Sequence, residues 1–210
     1  MKKNNASITR NSFKMQYFVF EYLVGKYQFP VVFAEKQMPC EFLPFNLFMS
    51  AKDKNVGVHF FIDDYQFERV WNLPEKYISI LQKAKVVLGT DFSMYLDMPK
   101  ALQIYNCYRN RALTRFLQKH GVNIVPTVCW SDADSFDWCF DGIAKGSAVA
   151  VSSNGCMNKD ACKKFIAGFN EMKKRIEPCQ IFFIGKVPDG IDATNIVQVN
   201  SHGQNLTKER

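Results

Sequence analysis

The chain has 210 residues and a formal net charge of +7, from 27 basic and 20 acidic side chains. That length is enough to bury a real core and favours a single domain, while no apolar run approaches the roughly 18 residues of a membrane-spanning helix. The basic balance permits attraction to nucleic acid, nucleotides or acidic surfaces without establishing any of them.

Seven cysteines, an odd number with no CxxC pair, and a polar start without an apolar signal core lead us to expect a reduced, cytoplasmic protein with no membrane partner. The sequence carries no signature of oligomeric state.

Residues 1–12 read as a flexible arm, and residues 1–20 carry Lys2, Lys3, Arg10 and Lys14 without an acid. Residues 13–27 fit helix and strand templates alike. After Pro30, residues 31–34 read as a short buried strand, and the Phe-rich stretch from Pro39 to Pro44 as an irregular linker. VGVHFFI (56–62) reads as a strand that ends in Asp63 and Asp64. Pro74 and Glu75 suit the first turn of a helix running to about Lys83. A strand at 86–88 follows, then Gly89 and Asp91.

Pro99 opens the clearest helix, 99–119, with an inward stripe of Leu102, Tyr105, Arg109, Ala112, Leu113, Phe116 and Leu117, ended by His120 and Gly121. Strand 122–128, an aromatic segment at 136–140 and strand 147–151 come next. Asn158 or its neighbour caps a second long helix, 159–176, and Pro178 follows it. Residues 181–184 and 196–199 read as two more strands, and 201–210 as a flexible tail beyond one α/β domain spanning 13–200.

Strand–helix alternation predicts right-handed crossovers and a mostly parallel sheet of about six strands. A compact or incomplete (β/α) barrel is the preferred form, because polar residues close every strand instead of gathering at one switch point; an open doubly wound sheet is the alternative. In either form Asp63, Asp91, Trp130 and Ser152 should meet at one rim.

Paired acids at a strand end can hold a divalent cation or act as a general base, and Asp63 and Asp64 fit that use; either could equally cap a helix. Asp91 and Ser93 stand in the same topological place one unit later. Asp97 is better read as the N-cap of the long helix. Arg109 interrupts an apolar stripe, so it needs a partner: Asp91, Asp97, or a ligand phosphate or carboxylate. Arg111 and Arg115 fit the solvent side. Trp130 beside Ser131, Asp132, Asp137 and Asp141 could stack a base or sugar, or simply cover the sheet's mouth. The turn Ser152, Ser153, Asn154, Gly155 could present amides to an anion. Lys163, Lys164, Lys173 and Lys174 form a basic face on the second helix, either solvated or gripping nucleic acid. The zinc, P-loop, dinucleotide and nucleophile-elbow motifs are missing from the sequence, and no cofactor is named by it.

The phrases GVHFFIDDYQFERVWNLPEKY (57–77), TDFSMYLDMPKALQIYNCYRNR (90–111), VPTVCWSDADSFDWCFDGIAKGSAVAVSSNG (125–155) and IFFIGKVPDG (181–190) resemble the domain-of-unknown-function family 4417 across residues 30–200. The resemblance implies a bacteriophage or mobile-element setting, hence nucleic-acid metabolism or host–phage conflict, and brings no activity with it. The pattern's recurrent residues here are Asp63, Asp64, Phe67, Asp91, Ser93, Pro99, Arg109, Arg111, Trp130, Asp141, Gly142 and Ser152. Gly89 and Thr90 stand where a Thr-Pro-like turn is expected. These readings point to a hydrolase or group-transfer enzyme for a nucleotide, nucleic acid or sugar-phosphate. A non-catalytic nucleic-acid- or protein-binding module, including an effector of host–phage conflict, is the alternative.

Overall fold

The computed structural model describes residues 5–154 and 158–199. A short helix, α1 (Asn5–Ser12), precedes an antiparallel ribbon of β1 (Leu23–Val24) and β2 (Phe29–Pro30). The body follows as β3 (Phe42–Pro44), α2 (Phe45–Ser50), β4 (Gly57–Phe60), α3 (Asp64–Asn72), α4 (Glu75–Leu81), β5 (Val87–Thr90), α5 (Lys100–Lys119) and β6 (Ile124–Val125). A 3-10 turn (Ala133–Asp137), β7 (Ala148–Ser152), α6 (Lys159–Ile176), β8 (Gln180–Ile184) and β9 (Ile196–Val199) complete it.

Strands β3-β4-β5-β6 form one parallel sheet and β7-β8-β9 another. A lone parallel bridge between Thr127 and Ala150 joins them. Strand order follows chain order without a reversal, so the sheet lacks the switch point of the doubly wound alternative. Hydrogen bonds do not close it into a barrel among the described residues. The sheet nevertheless curls, because the rings of Phe42 on β3 and Phe182 on β8 meet with centroids 5.6 Å apart.

Alternation along the strands explains the layering. Phe42, Leu88, Val125, Ala148, Ala150, Phe182 and Ile184 fill the concave side as one cluster. Their neighbours point the other way. Val58, Phe60 and Val87 pack under α2, α3 and α5, while Val149, Val151, Ile181 and Phe183 pack under α6. Each fully buried Phe or Ile contributes about 1.5–3 kcal/mol, so the helices are held chiefly by these two outer layers.

Several elements differ from expectation, each for a local reason. Residues 31–34 make only an isolated bridge, Val32 with Ile143, in place of a strand. The expected strand 122–128 shortens to Ile124–Val125 because Pro126 has no N–H to donate. The supposed linker from Pro39 to Pro44 contains β3 and leads straight into α2, whose Phe45 and Phe48 lie three apart on one turn and are fully buried. Asp97 does not cap α5; its N-cap position is Pro99, without a side-chain cap bond. Helix α6 does start as its sequence implies: the Asn158 side chain accepts from the Ala161 N–H at 2.9 Å. It ends at Glu177, left-handed with φ 50°, before Pro178.

A candidate active site at the strand ends

Four consecutive strands of the sheet end around one cavity of about 440 Å³. Residues after β4 supply Phe61, Ile62 and Asp63; those after β5 supply Asp91, Ser93, Met94 and Tyr95. Beyond β6 come Val128, Cys129 and Trp130, and from β7 and its turn Ser152 and Asn154, with Phe165 of α6 as a further wall. Parallel strands put all their carboxyl ends on one rim, which is where such folds carry chemistry. Asp63, Asp91, Ser93, Trp130 and Ser152 are therefore brought together.

The Asp91 carboxyl is half-buried, and burial followed by the nearby charge of Asp64 pushes its pKa up to about 7. Asp64 turns away from the cavity and braces its wall: its carboxylate accepts from the Ser93 N–H at 3.1 Å and from the Ser93 hydroxyl at 2.9 Å. Asp63, the N-cap residue of α3, stays exposed at the mouth. Cys129 is no nucleophile at neutral pH, since burial and then Asp91 push its thiol well above its ordinary pKa.

Helix α5 holds this wall with a polar stripe that the sequence reading missed. Gln103, Asn106 and Asn110, at spacings of three and four, are all buried. Gln103 donates to the carbonyls of Tyr95 and Met98 and accepts from the Ser131 hydroxyl at 2.6 Å. Asn106 donates to the Ser93 carbonyl at 2.8 Å. Asn110 accepts from the Phe92 N–H at 3.0 Å and donates to the Phe92 carbonyl at 3.4 Å, fixing the residue next to Asp91 from both sides. Irregular backbone beneath a helix must be paired, so this half of α5 buries amides where the apolar stripe was expected. Leu102 and Tyr105 of that stripe are instead about half exposed.

Trp130 lies flat on α6. A Cβ added at Gly168 would come within 2.2 Å of the indole Nε1, so only glycine leaves room for the ring there. Trp130 is half-buried, with Phe165 at 5.1 Å between centroids, and one part of it still faces the cavity.

Other expected site residues sit elsewhere. The guanidinium of Arg109 pairs with Glu68, not with Asp91 or Asp97, and lies 3.5 Å from the Phe92 ring centroid with Trp71 and Tyr105 around it. It is not among the described residues lining the cavity. Arg111, placed on the solvent side by its spacing, is only 1 % exposed. It donates to the carbonyls of Thr127 (2.8 Å), Cys139 (2.7 Å) and Asp141 (3.1 Å), none of which has a sequence signature. Asp141 is also outside the cavity lining, against Gly25 in the β1–β2 turn, where φ is +73° and a Cβ would strike its carboxylate. Burial raises its pKa, with Arg175 and Arg111 opposing. Gly155 lies outside the described residues. On α6, Lys173 pairs with Asp192 and Lys174 with Glu171, while Lys163 and Lys164 are exposed without an ion pair among the described residues. No three His, Cys, Asp or Glu side chains converge on a metal-binding arrangement among the described residues, and none of the described helices is long and apolar enough to cross a membrane.

A family model described as "Domain of unknown function (DUF4417)" matches residues 20–203. The chain belongs to that family. It is 40% identical over 136 residues to the "Gene 1 protein" of Mycobacterium phage L5, covering 64% of this chain and 59% of that protein. Over 132 residues it is 40% identical to the "Gene 1 protein" of Mycobacterium phage D29, covering 62% of this chain and 49% of that one. The chain thus matches about half the length of these curated relatives. Both are phage proteins, in keeping with a phage or mobile-element association of the family. No solved structure matches.

Proposed function

We propose that this DUF4417 domain is a hydrolase or group-transfer enzyme of the host-cell cytoplasm whose acid–base group is Asp91. Its substrate is a nucleotide, nucleic acid or sugar-phosphate. The observation that carries this reading is the meeting of Asp63, Asp91, Ser93 and Ser152 with the Trp130 ring in one cavity at the carboxyl ends of β4, β5, β6 and β7.

A carboxyl poised near neutrality is present in both forms at physiological pH, so it can give a proton to a leaving oxygen or take one from an attacking hydroxyl or water. Asp63 supplies a second carboxylate at the mouth. Ser93, Ser152 and Asn154 offer hydroxyl and amide groups to a sugar or base edge, and Trp130 with Phe165 offers ring faces. The described lining contains two acids and neither Lys nor Arg. The part of the substrate that enters is therefore an uncharged ring and its hydroxyls, with phosphate held outside. A non-catalytic grip on nucleic acid through Lys163, Lys164, Lys173 and Lys174 draws less support, because the last two are neutralised by Asp192 and Glu171.

The test is turnover of a panel of nucleosides, nucleotides and sugar-phosphates by the full chain and by Asp91→Asn. A loss of at least about a hundredfold in kcat is expected, the usual scale of acid–base catalysis. Undiminished turnover by the variant overturns the assignment.

A further inference from the structure

The cavity around Asp91 does not end at Trp130. A second lobe of about 300 Å³ adjoins it and shares four of its walls, Met94, Tyr95, Trp130 and Phe165. The two lobes differ in charge. The first holds Asp63 and Asp91, while the second holds Asp97 and Lys164 as its charged side chains among the described residues. Tyr95, which lines both lobes with Trp130, is 63 % exposed and so has ring surface free for a ligand. Lys164 continues into an exposed row with Lys163 and Lys159 on the first half of α6. Farther along the same helix, Lys173, Lys174 and Arg175 are tied to Asp192 and Glu171. The unneutralised cations of α6 are thus the ones beside the groove.

A single neutral ring fills one lobe and leaves the other, with its lysine, unused. Two adjoining lobes with open rings between them suit a ligand of successive planar units joined by negatively charged links. Base stacking on aromatics with lysines tracking the backbone is how single strands are held. We infer that the ligand of this groove is a single-stranded nucleic acid. One unit sits in the Asp91 lobe, its neighbour stacks at Tyr95 and Trp130, and the intervening phosphates run past Lys164 towards Lys163. The inference rests on the Asp91 cavity being the reacting site, and it narrows the substrate class from free nucleotides to strands.

The protein carries its own reporter. Of its three tryptophans, Trp71 (4 % exposed) and Trp138 (5 %) are buried, so quenching by a stacked base reports chiefly on Trp130. Thymidine, a four-residue thymidylate strand, a four-residue uridylate strand and a duplex DNA are titrated into the full chain while tryptophan emission is followed. Affinity should rise at least about tenfold from thymidine to the better of the two strands. The ranking of the two strands tells DNA from RNA through the 2′-hydroxyl. Lys164→Gln should weaken strand binding about fivefold and lower its log–log salt slope by roughly one. Lys119→Gln, at the far end of α5, should change neither.

Equal affinity for thymidine and both strands overturns the inference, as does duplex binding as tight as strand binding. Quenching absent with both strands overturns it too. The Asp91 assignment falls separately: strands that bind and are turned over equally well by Asp91→Asn would remove the catalytic reading and leave the groove's ligand in place.

Discussion

The two arginines of α5 sit two residues apart and have opposite surroundings. Arg109 is itself buried, at 8 % exposed, but faces α3, where its partner Glu68 has a side chain 40% exposed and its guanidinium leans on Phe92, Trp71 and Tyr105. Arg111 looks inward, and backbone carbonyls alone satisfy it. An ion pair touched by water is replaceable at small cost, because the stranded partner can rehydrate. A cation that donates to three carbonyls is not, because its loss leaves those of Thr127 and Asp141 without that donor and Cys139 with the weak Cys107 thiol. Neither arginine donates to Asp91. The carboxyl of the cavity therefore keeps the raised pKa that burial and Asp64 give it.

The largest effect should come from Arg111→Met. It strands the Thr127, Cys139 and Asp141 carbonyls at about 1–3 kcal/mol each before relaxation, so a net loss of about 3–5 kcal/mol is expected in urea unfolding. A loss below about 1 kcal/mol would break the contrast between the two arginines.

Asp91→Asn comes next and works in the other direction. The unfolded chain releases this proton near the ordinary value of 3.8, whereas the folded carboxyl keeps it to about 7. Wild-type stability therefore falls as pH rises through that window, and the variant should lose the fall. It should match wild type near pH 4 and exceed it above pH 7 by about 1–3 kcal/mol. Buried His59 behaves oppositely: burial lowers its pKa from 6.5 to about 4, so it weakens the fold as pH drops between those values. In wild type the two slopes oppose, and in the variant a rise with pH should stand alone. Thermal melts from pH 4 to pH 8 would show it; an unchanged profile would mean that Asp91 is not desolvated.

Arg109→Met should cost less than Arg111→Met, about 1–2 kcal/mol, from lost stacking on Phe92 and a carboxylate that water can reach. A cost equal to that of Arg111→Met would show that exposure of Glu68 does not soften the pair. Smallest of all, Lys163→Gln with Lys164→Gln should shift stability by less than about 0.5 kcal/mol, since both are exposed and free of ion pairs among the described residues.

Strands were the most legible part of the sequence. Runs such as VGVHFFI and AVAVS are buried on both faces and announce parallel pairing without help from distant residues. The polar residue after each run then marked the rim, which is why Asp63, Asp91, Trp130 and Ser152 could be named together. Helical facing was less legible. Leu102 and Tyr105 looked inward by apolar count, yet the backbone of residues 91–98 needs amides beneath it, and Gln103, Asn106 and Asn110 won that face, while Arg109 is buried as its place in the stripe implied. Glu68 could not be paired with Arg109 from spacing, because the contact joins α3 to α5 across 41 positions. Arg111 was hidden for a similar reason: its acceptors are main-chain atoms, which every sequence supplies equally.

Chain-order pairing of the strands has a consequence for how the protein is made. Each strand finds its partner in the unit synthesised immediately before it, so loops to be closed are short and their entropic cost grows slowly. The four strands β3 to β6, with their own outer core, can assemble while β7 to β9 are still in the ribosome. The Thr127–Ala150 bridge and the shared concave cluster, with Phe42 against Phe182, then dock the second sheet on the first. The cavity is completed only at that docking step, since Asp63 and Asp91 belong to the first half and Ser152 and Phe165 to the second. The cavity's lining is thus shared between the two halves of the sheet and depends on both.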